Sequence, residues 1–232
     1  MYRVEDKYLC NDMDFFLLQA RIAAILDPDD NQYDEEGYSV ASLYFDDAYD
    51  THFRDTVDGN GIREKYRIRI YNNSLDVIKL EVKSKCYNRV TKKSRSITPS
   101  QMRLLLSGKQ IPDTGSLEDP VTLFNIAIEE RKLCPKVIVA YERKAYVHDA
   151  GNVRITFDRN IRSSSDIEAF GTPDIVFDMP REHDSVLEIK YDEFLPGFVA
   201  GLLELGNMQQ TSFSKYRLCR EIYMGGDLET CQ

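Results

Sequence analysis

The chain has 232 residues, 42% of them hydrophobic and 30% charged, with a formal net charge of −9. That length and mixture suit an ordinary globular fold with an ample core. The acid excess argues against a generic nucleic-acid binder, so any anion site must be a local concentration of positive charge. The five cysteines (Cys10, Cys86, Cys134, Cys219 and Cys231) are odd in number and none are spaced as CxxC. Nothing resembles a signal peptide, so reduced thiols and a cytoplasmic location are expected. No apolar run approaches the roughly 20 residues that span a bilayer. His52, His148 and His183 are scattered, which argues against a His-rich zinc site.

Residues 2–9 read as a short strand, and 12–26 as an amphipathic helix capped by Asn11 or Asp12. The polar stretch 27–37 is a loop. Residues 38–45 form a strand by β-branched and aromatic content, and 46–57 hold a helical turn before the Asp58-Gly59-Asn60-Gly61 turn signal. Three strands follow near 62–71, 76–85 and 89–97. Thr98-Pro99-Ser100-Gln101 is a capping box with Pro at the first helical position, and Gly108 ends that helix at 107. Residues 120–132 form another helix. Strands are expected at 136–147, 153–158, 174–178 and 185–191, then a helical tail over 194–224 broken near Gly206. No repeat or composition shift marks a linker, so one domain over 1–232 is expected. About eight strands in hairpin-like succession, with helices inserted, predict an α+β fold with a mostly antiparallel eight-stranded sheet, closed or nearly closed as a β-barrel with flanking helices.

Residues two apart on a strand share a face. Lys65, Arg67 and Arg69 therefore lie opposite Tyr66, Ile68 and Ile70, and Glu81 and Lys83 opposite Leu80 and Val82. Thr91, Lys93 and Arg95 share a face, though which of Lys92, Lys93 or Arg95 joins the basic side is open. Arg154, Thr156 and Asp158 oppose Val153, Ile155 and Phe157; Glu188 and Lys190 oppose Leu187 and Ile189; Glu5 and Lys7 oppose Val4 and Tyr8. Arg143 lies opposite Glu142 and Lys144. A plain solvated sheet face is one account. Against it, acids outnumber bases 39 to 30 over the chain, yet the strand faces are basic and the acid sits in loops such as DPDDNQYDEE. Cations so crowded repel unless a polyanion lies among them, and Arg and Lys suit phosphate oxygens. The acids Glu5, Glu81, Asp158 and Glu188 can hold a hard cation, or serve as ion-pair mates.

In order along the chain, the run from Arg3 to Tyr8, SLYFDD (42–47), YRIRIY (66–71), KLEVK (79–83), YERKAY (141–146), VRITFD (153–158), LEIK (187–190) and FSKYR (213–217) resemble the VTC domain. That is the catalytic domain of vacuolar transporter chaperone polyphosphate polymerases, within the triphosphate tunnel metalloenzyme superfamily. The resemblance implies a barrel whose tunnel binds a triphosphate with Mn²⁺ or Mg²⁺. It implies phosphate binding by Lys7, Arg67, Arg69, Lys83, Lys93, Arg143, Arg154, Lys190 and Lys215, with Arg67, Arg69, Arg154 and Lys215 acting in catalysis. It implies metal binding by Glu188 with Glu5. Hydrolases and cyclases of the superfamily begin with ExExK; here Arg3 stands at the first glutamate, as in the VTC branch.

The function these features imply is transfer of the γ-phosphate of ATP to a growing polyphosphate chain, started on orthophosphate. The alternatives are a triphosphate or nucleoside-triphosphate hydrolase using the same residues, and a non-catalytic polyphosphate-binding module. No nucleic-acid partner is expected.

Overall fold

Strand alternation and helix caps account for most elements of the computed structural model, which describes residues 3–32, 36–87, 89–179, 185–204 and 210–224. The order is β1 (Arg3–Cys10), α1 (Asp12–Ala23), β2 (Asp27–Pro28), β3 (Tyr38–Asp46), α2 (Thr51–Val57), β4 (Ile62–Tyr71), β5 (Ser74–Cys86), β6 (Arg89–Ile97), α3 (Pro99–Leu106) and α4 (Pro120–Arg131). Then come β7 (Cys134–His148), β8 (Val153–Ser164), β9 (Ser185–Asp192), α5 (Gly197–Leu203) and α6 (Lys215–Met224), with single 3₁₀ turns either side of β8. The fold is α+β, with an antiparallel sheet in the order β1-β9-β8-β7-β3-β4-β5-β6 and β2 attached to β7. The order ends at β1 and β6, so among the described residues no hydrogen-bonded ladder joins those strands, and the closure expected of a β-barrel is not made by backbone pairing. Among the described residues no helix is long and apolar enough to cross a membrane.

The chain splits into two compact units interleaved in sequence. The first takes Met1–Ser39, Tyr141–Ile161 and Arg181–Phe213; the second takes Val40–Ala140, Arg162–Pro180 and Ser214–Gln232. In the first, α1 lays Phe15, Leu18 and Ile22 on Ile155, Phe157, Leu187 and Ile189, and Phe15 meets Phe157 edge to face at 5.3 Å. In the second, Tyr66, Ile68 and Ile70 join Ile78, Leu80 and Val82 beneath α3 and α4. Phe124 of α4 meets Phe45 and Tyr66 edge to face, at 5.3 and 5.1 Å. Each buried side chain of this size contributes roughly 1.5–3 kcal/mol.

Local signals work as their chemistry dictates. Thr98 Oγ1 accepts from Gln101 N and Gln101 Oε1 accepts from Thr98 N, which completes the capping box of α3. Gly108 follows that helix at φ +71°. Asn72 and Asn73, both at φ +51°, make the two-residue turn between β4 and β5 that a right-twisted hairpin prefers.

Three expectations shift. The strand expected at 174–178 is only an isolated bridge, Ser163 to Asp178; Pro173 and Asp174 suit a turn better than a ladder. β8 runs to Ser164 instead of 158, through Asn160 at φ +51°, a polar irregular stretch with no strand signature. The loop at 27–37 contains β2, whose Asp27 and Pro28 pair with Val147 and Tyr146. The break near Gly206 and Cys231 lie outside the described residues. Cys10, Cys86, Cys134 and Cys219 are free thiols.

α2 has no side-chain cap at Asp50. The buried Asp46 supplies it from β3: Oδ1 accepts from His52 N at 3.0 Å and Oδ2 from Phe53 N at 2.9 Å. Tyr216 of α6 donates its hydroxyl to the same Oδ2 at 2.6 Å, so one carboxylate ties β3, α2 and α6 together. Burial pushes the Tyr216 hydroxyl far up, and the Asp46 charge adds to it, so it stays a donor. Tyr216→Phe is expected to destabilise the protein by roughly 1.5–3 kcal/mol, the worth of a hydrogen bond to a charged group; urea denaturation at neutral pH checks it.

Candidate functional site

With Tyr66, Ile68, Leu80 and Val82 turned into the core of the second unit, the opposite face of β4–β6 takes every second residue. Register stacks these into rows. Lys65 lies opposite Lys83, and Lys83 opposite Lys92. The next row is Arg67, Glu81, Ser94, and the next Arg69, Lys79, Ser96; Arg63 lies opposite Lys85. Like charges directly across a strand pair are destabilising, so a row of three lysines is an expensive arrangement for a sheet with no anion to hold. Glu81 is the single acid of these rows. It is 1% exposed. Its Oε2 accepts from Arg67 Nε at 2.7 Å and lies 3.9 Å from Arg69 Nη1, while its Oε1 accepts from Lys92 Nζ at 2.6 Å. Burial alone would raise the Glu81 carboxyl, but Arg67, Arg69 and Lys92 outweigh it and hold it well below the usual range. Burial draws the Lys92 ammonium down, and Glu81 offsets this only in part.

Tyr44 and Ser42 on β3 fix the arginines from the other side. Arg67 Nη1 donates to the Tyr44 hydroxyl at 3.0 Å, and Arg69 Nε to Ser42 Oγ at 3.1 Å. Tyr44 stacks on Tyr216 at 4.9 Å. Lys65 Nζ donates to Ser214 Oγ at 2.8 Å, and Ser214 Oγ also accepts from Arg217 N at the start of α6, whose first residue is Lys215. Lys93 lies on the other face. It pairs with Val82 on the core side of the sheet, and its Nζ donates to Leu117 O at 2.6 Å and lies 3.2 Å from Glu118. Lys92 shares the face of Lys83, because one residue of register changes the face.

The first unit has a different charge pattern. Across β1, β9 and β8, one row reads Glu5, Lys190, Arg154 and the next Lys7, Glu188, Thr156. Lys7 Nζ lies 3.1 Å from Glu5 and 3.8 Å from Glu188; Lys190 Nζ lies 3.0 Å from Glu188 and 3.9 Å from Glu5. Lys7 also donates to Phe213 O at 3.3 Å. Arg143 grips Asp158 through two bonds of 2.6 and 2.7 Å, with Glu188 4.0 Å from its Nη2. Burial would lower the Arg143 guanidinium, but Asp158 and its neighbours raise it further, so it is permanently charged.

Arg154 has a partner absent from the sequence analysis. Its Nε donates to Asp29 Oδ2 at 2.7 Å and its Nη2 to the Tyr38 hydroxyl at 3.1 Å. β2 and the Asp29 N to Ala145 O bond at 2.9 Å pin the Asp29 backbone, and Asn31 donates twice to the other oxygen. Burial would raise the Asp29 carboxyl; Asn31 and Arg154 lower it on balance. Within DPDDNQYDEE nothing but the neighbouring proline separates this acid from solvated ones.

Glu5 and Glu188 fit a hard cation that keeps other ligands from elsewhere. Thr156 faces Glu188 across the ladder, and its buried hydroxyl has no hydrogen-bond partner among the described residues. No group of three or more His, Cys, Asp or Glu that could hold a metal occurs among those residues. Two carboxylates and a hydroxyl suit an ion such as Mg²⁺, which is commonly completed by substrate phosphates and water.

Residues 2–224 match the family model of the VTC domain. The chain belongs to the VTC domain family. Among curated proteins none matches this VTC domain. Its fold is similar to that of a candidate adenylate cyclase from Bacillus halodurans, at 12% identity and TM-score 0.50 over 97% of this chain and 91% of that one. A protein of Pyrococcus horikoshii OT3 aligns at 15% identity and TM-score 0.49, over 94% of this chain and 97% of that one. The likeness to the Bacillus protein is one of fold. Within the VTC domain, the second unit gathers Arg67, Arg69 and Lys83 with Lys92, and the first gathers Glu5, Lys7, Arg143, Glu188 and Lys190, with Arg154 held by Asp29. Arg3 opens β1 opposite Asp192 in register; its side chain lies outside the described residues.

The Glu81 carboxyl is depressed on folding, so its stabilising contribution is complete above the ordinary glutamate range and is lost as pH falls below it. Glu81→Gln is expected to cost roughly 3–5 kcal/mol at pH 7, as for a buried pair that loses one partner. The gap from wild type narrows as the pH is lowered, which denaturant melts across the acid limb measure.

Proposed function

We propose that this VTC domain is a polyphosphate polymerase that transfers the γ-phosphate of ATP to a growing polyphosphate chain. The observation that carries the reading is the Lys65–Lys83–Lys92 row beside Arg67 and Arg69, a cationic surface with one carboxylate. A linear polyphosphate matches it: evenly spaced charge, no side chains and oxygens along its whole length. ATP offers the same phosphates at one end.

Phosphoryl transfer needs positioning and neutralisation of charge more than a protein nucleophile. A terminal phosphate oxygen of the chain, or orthophosphate at the start, attacks the γ-phosphorus. A new P–O bond forms as the bond to the β–γ bridging oxygen breaks, and ADP departs with the electron pair. Arg67, Arg69, Arg154 and Lys215 hold the phosphate oxygens and oppose charge as it moves to the leaving oxygen. Lys7, Lys83, Arg143 and Lys190 bind phosphates, and Lys92 joins them in place of Lys93. Glu188 and Glu5 would hold Mg²⁺ or Mn²⁺, which supplies Lewis-acid neutralisation of phosphate charge when bound. Arg3, in place of a hydrolase glutamate, supports polymerase over hydrolase: a smaller carboxylate set and an added cation suit a long polyanion better than activation of water.

Incubation with ATP and Mn²⁺ or Mg²⁺ tests this directly. Polymerase predicts long chains on a gel. Orthophosphate alone from the first minutes means a hydrolase, and no ATP consumption at any metal concentration means a binding module. Arg67→Ala, Arg154→Ala and Lys215→Ala are each expected to lower kcat by about one to two decades, the worth of one charge-assisted contact of roughly 1.5–3 kcal/mol that strengthens in the transition state.

Glu188→Gln is expected to abolish turnover while tripolyphosphate binding, read by calorimetry, persists in weakened form. Full activity in that variant would make Glu188 an ordinary strand residue.

A further inference from the structure

We propose that the outer face of α1 is a self-association surface that pairs antiparallel with α1 of a second copy of this chain. The inner face of α1 is accounted for by Phe15, Leu18 and Ile22 in the core of the first unit. The outer face of a surface helix is ordinarily polar. Here it is apolar too: Met13 is 79% exposed, Phe16 52% and Leu17 43%. Ala20, Ala23 and Ala24 are also exposed. Met13, Leu17, Ala20 and Ala24 recur at alternating steps of four and three, the spacing of a two-helix seam.

Side-chain size decides the direction. The large residues all lie in the first half of the helix and the alanines in the second. A parallel pair sets Leu17 against Leu17 and Ala20 against Ala20, which crowds one end and leaves gaps at the other. An antiparallel pair sets Met13 against Ala24 of the second copy, Leu17 against Ala20, and Phe16 against Ala23, so every large side chain meets a small one. The two-fold symmetry then repeats each contact. The same register brings Asp14 beside Arg21 of the second copy, on one flank of each helix. Within one α1 these two are separated by about two turns, roughly 10 Å of rise, too far for a direct ion pair.

Charge also selects the occupant. Asp12 and Asp14 edge the stripe, which opposes docking on an anionic bilayer. A second copy meets Asp14 with Arg21. The stripe is short, about 16 Å from Met13 to Ala24, and less than a standard interface by itself. α5 packs beside α1, and its Phe198, 49% exposed, meets His148 edge to face. The association is therefore weak, with a dissociation constant expected on the order of micromolar. It is independent of the polymerase reading.

Sedimentation velocity on the full chain, over a micromolar concentration series, tests it. A concentration-dependent dimer is expected. Ala20→Glu, at an exposed site, leaves the circular dichroism unchanged and weakens the dimer by at least about tenfold, since it sets a carboxylate into the seam. Asp14→Lys and Arg21→Asp each stay monomeric alone, because each sets like charges together. Mixed, they form a heterodimer in which both flanks carry opposite charges, a result that the antiparallel register requires. A wild-type chain that stays monomeric throughout overturns the proposal. So does a dimer indifferent to Ala20→Glu, or a mixture of the two charge variants that gains nothing. Binding of monomeric protein to phosphatidylcholine vesicles that Ala20→Glu abolishes would assign the face to a bilayer and overturn it as well.

Discussion

The burial of one face of β4 and β5 is the constraint on which the candidate chemistry depends. Tyr66, Ile68, Ile70, Ile78, Leu80 and Val82 must all leave water together, under α3 and α4. Because side chains alternate, this commits Lys65, Arg67, Arg69, Lys79, Glu81 and Lys83 to the opposite face. A slip of one residue would exchange the two sets and place six polar groups in the core. The cationic surface is thus held in place by hydrophobic burial elsewhere in the strand, and the lysine row persists despite its own repulsion. Glu81 offsets part of that repulsion through Arg67 and Lys92.

The two units answer the same problem of charged strand faces in different ways. In the first, opposite charges alternate across the ladder: Glu5 faces Lys190 and Lys7 faces Glu188. Such a checkerboard satisfies itself across the ladder. In the second, like charges face one another across the strands, and Glu81 is shared by Arg67, Arg69 and Lys92.

Side chains away from the strand faces set how rigid those cations are. Tyr44 and Ser42 hold the arginines of β4, and Asp29 and Tyr38 hold Arg154. These partners fix guanidinium planes before any ligand arrives, so less rotamer freedom is lost on binding. Asp46 does similar work at one remove, because it anchors the start of α2 and, through Tyr216, the helix that begins at Lys215.

The sequence by itself determined the strands whose two faces differ in polarity, the capping box of α3, the asparagine turn's neighbours at 62–71 and 76–85, and the basic character of residues 65, 67, 69 and 83. Those features are local: they follow from period, cap chemistry and charge within a few residues. The tertiary structure alone decided three others. It chose Lys92 over Lys93, since residues 89–97 are polar on both sides and only pairing with β5 fixes their face. It brought Asp29 to Arg154 across 125 positions of chain, where composition showed a plain acidic loop. It reduced the stretch at 174–178 to a single bridge and carried β8 on to Ser164, because strand ends depend on the neighbour available to pair with and not on propensity alone.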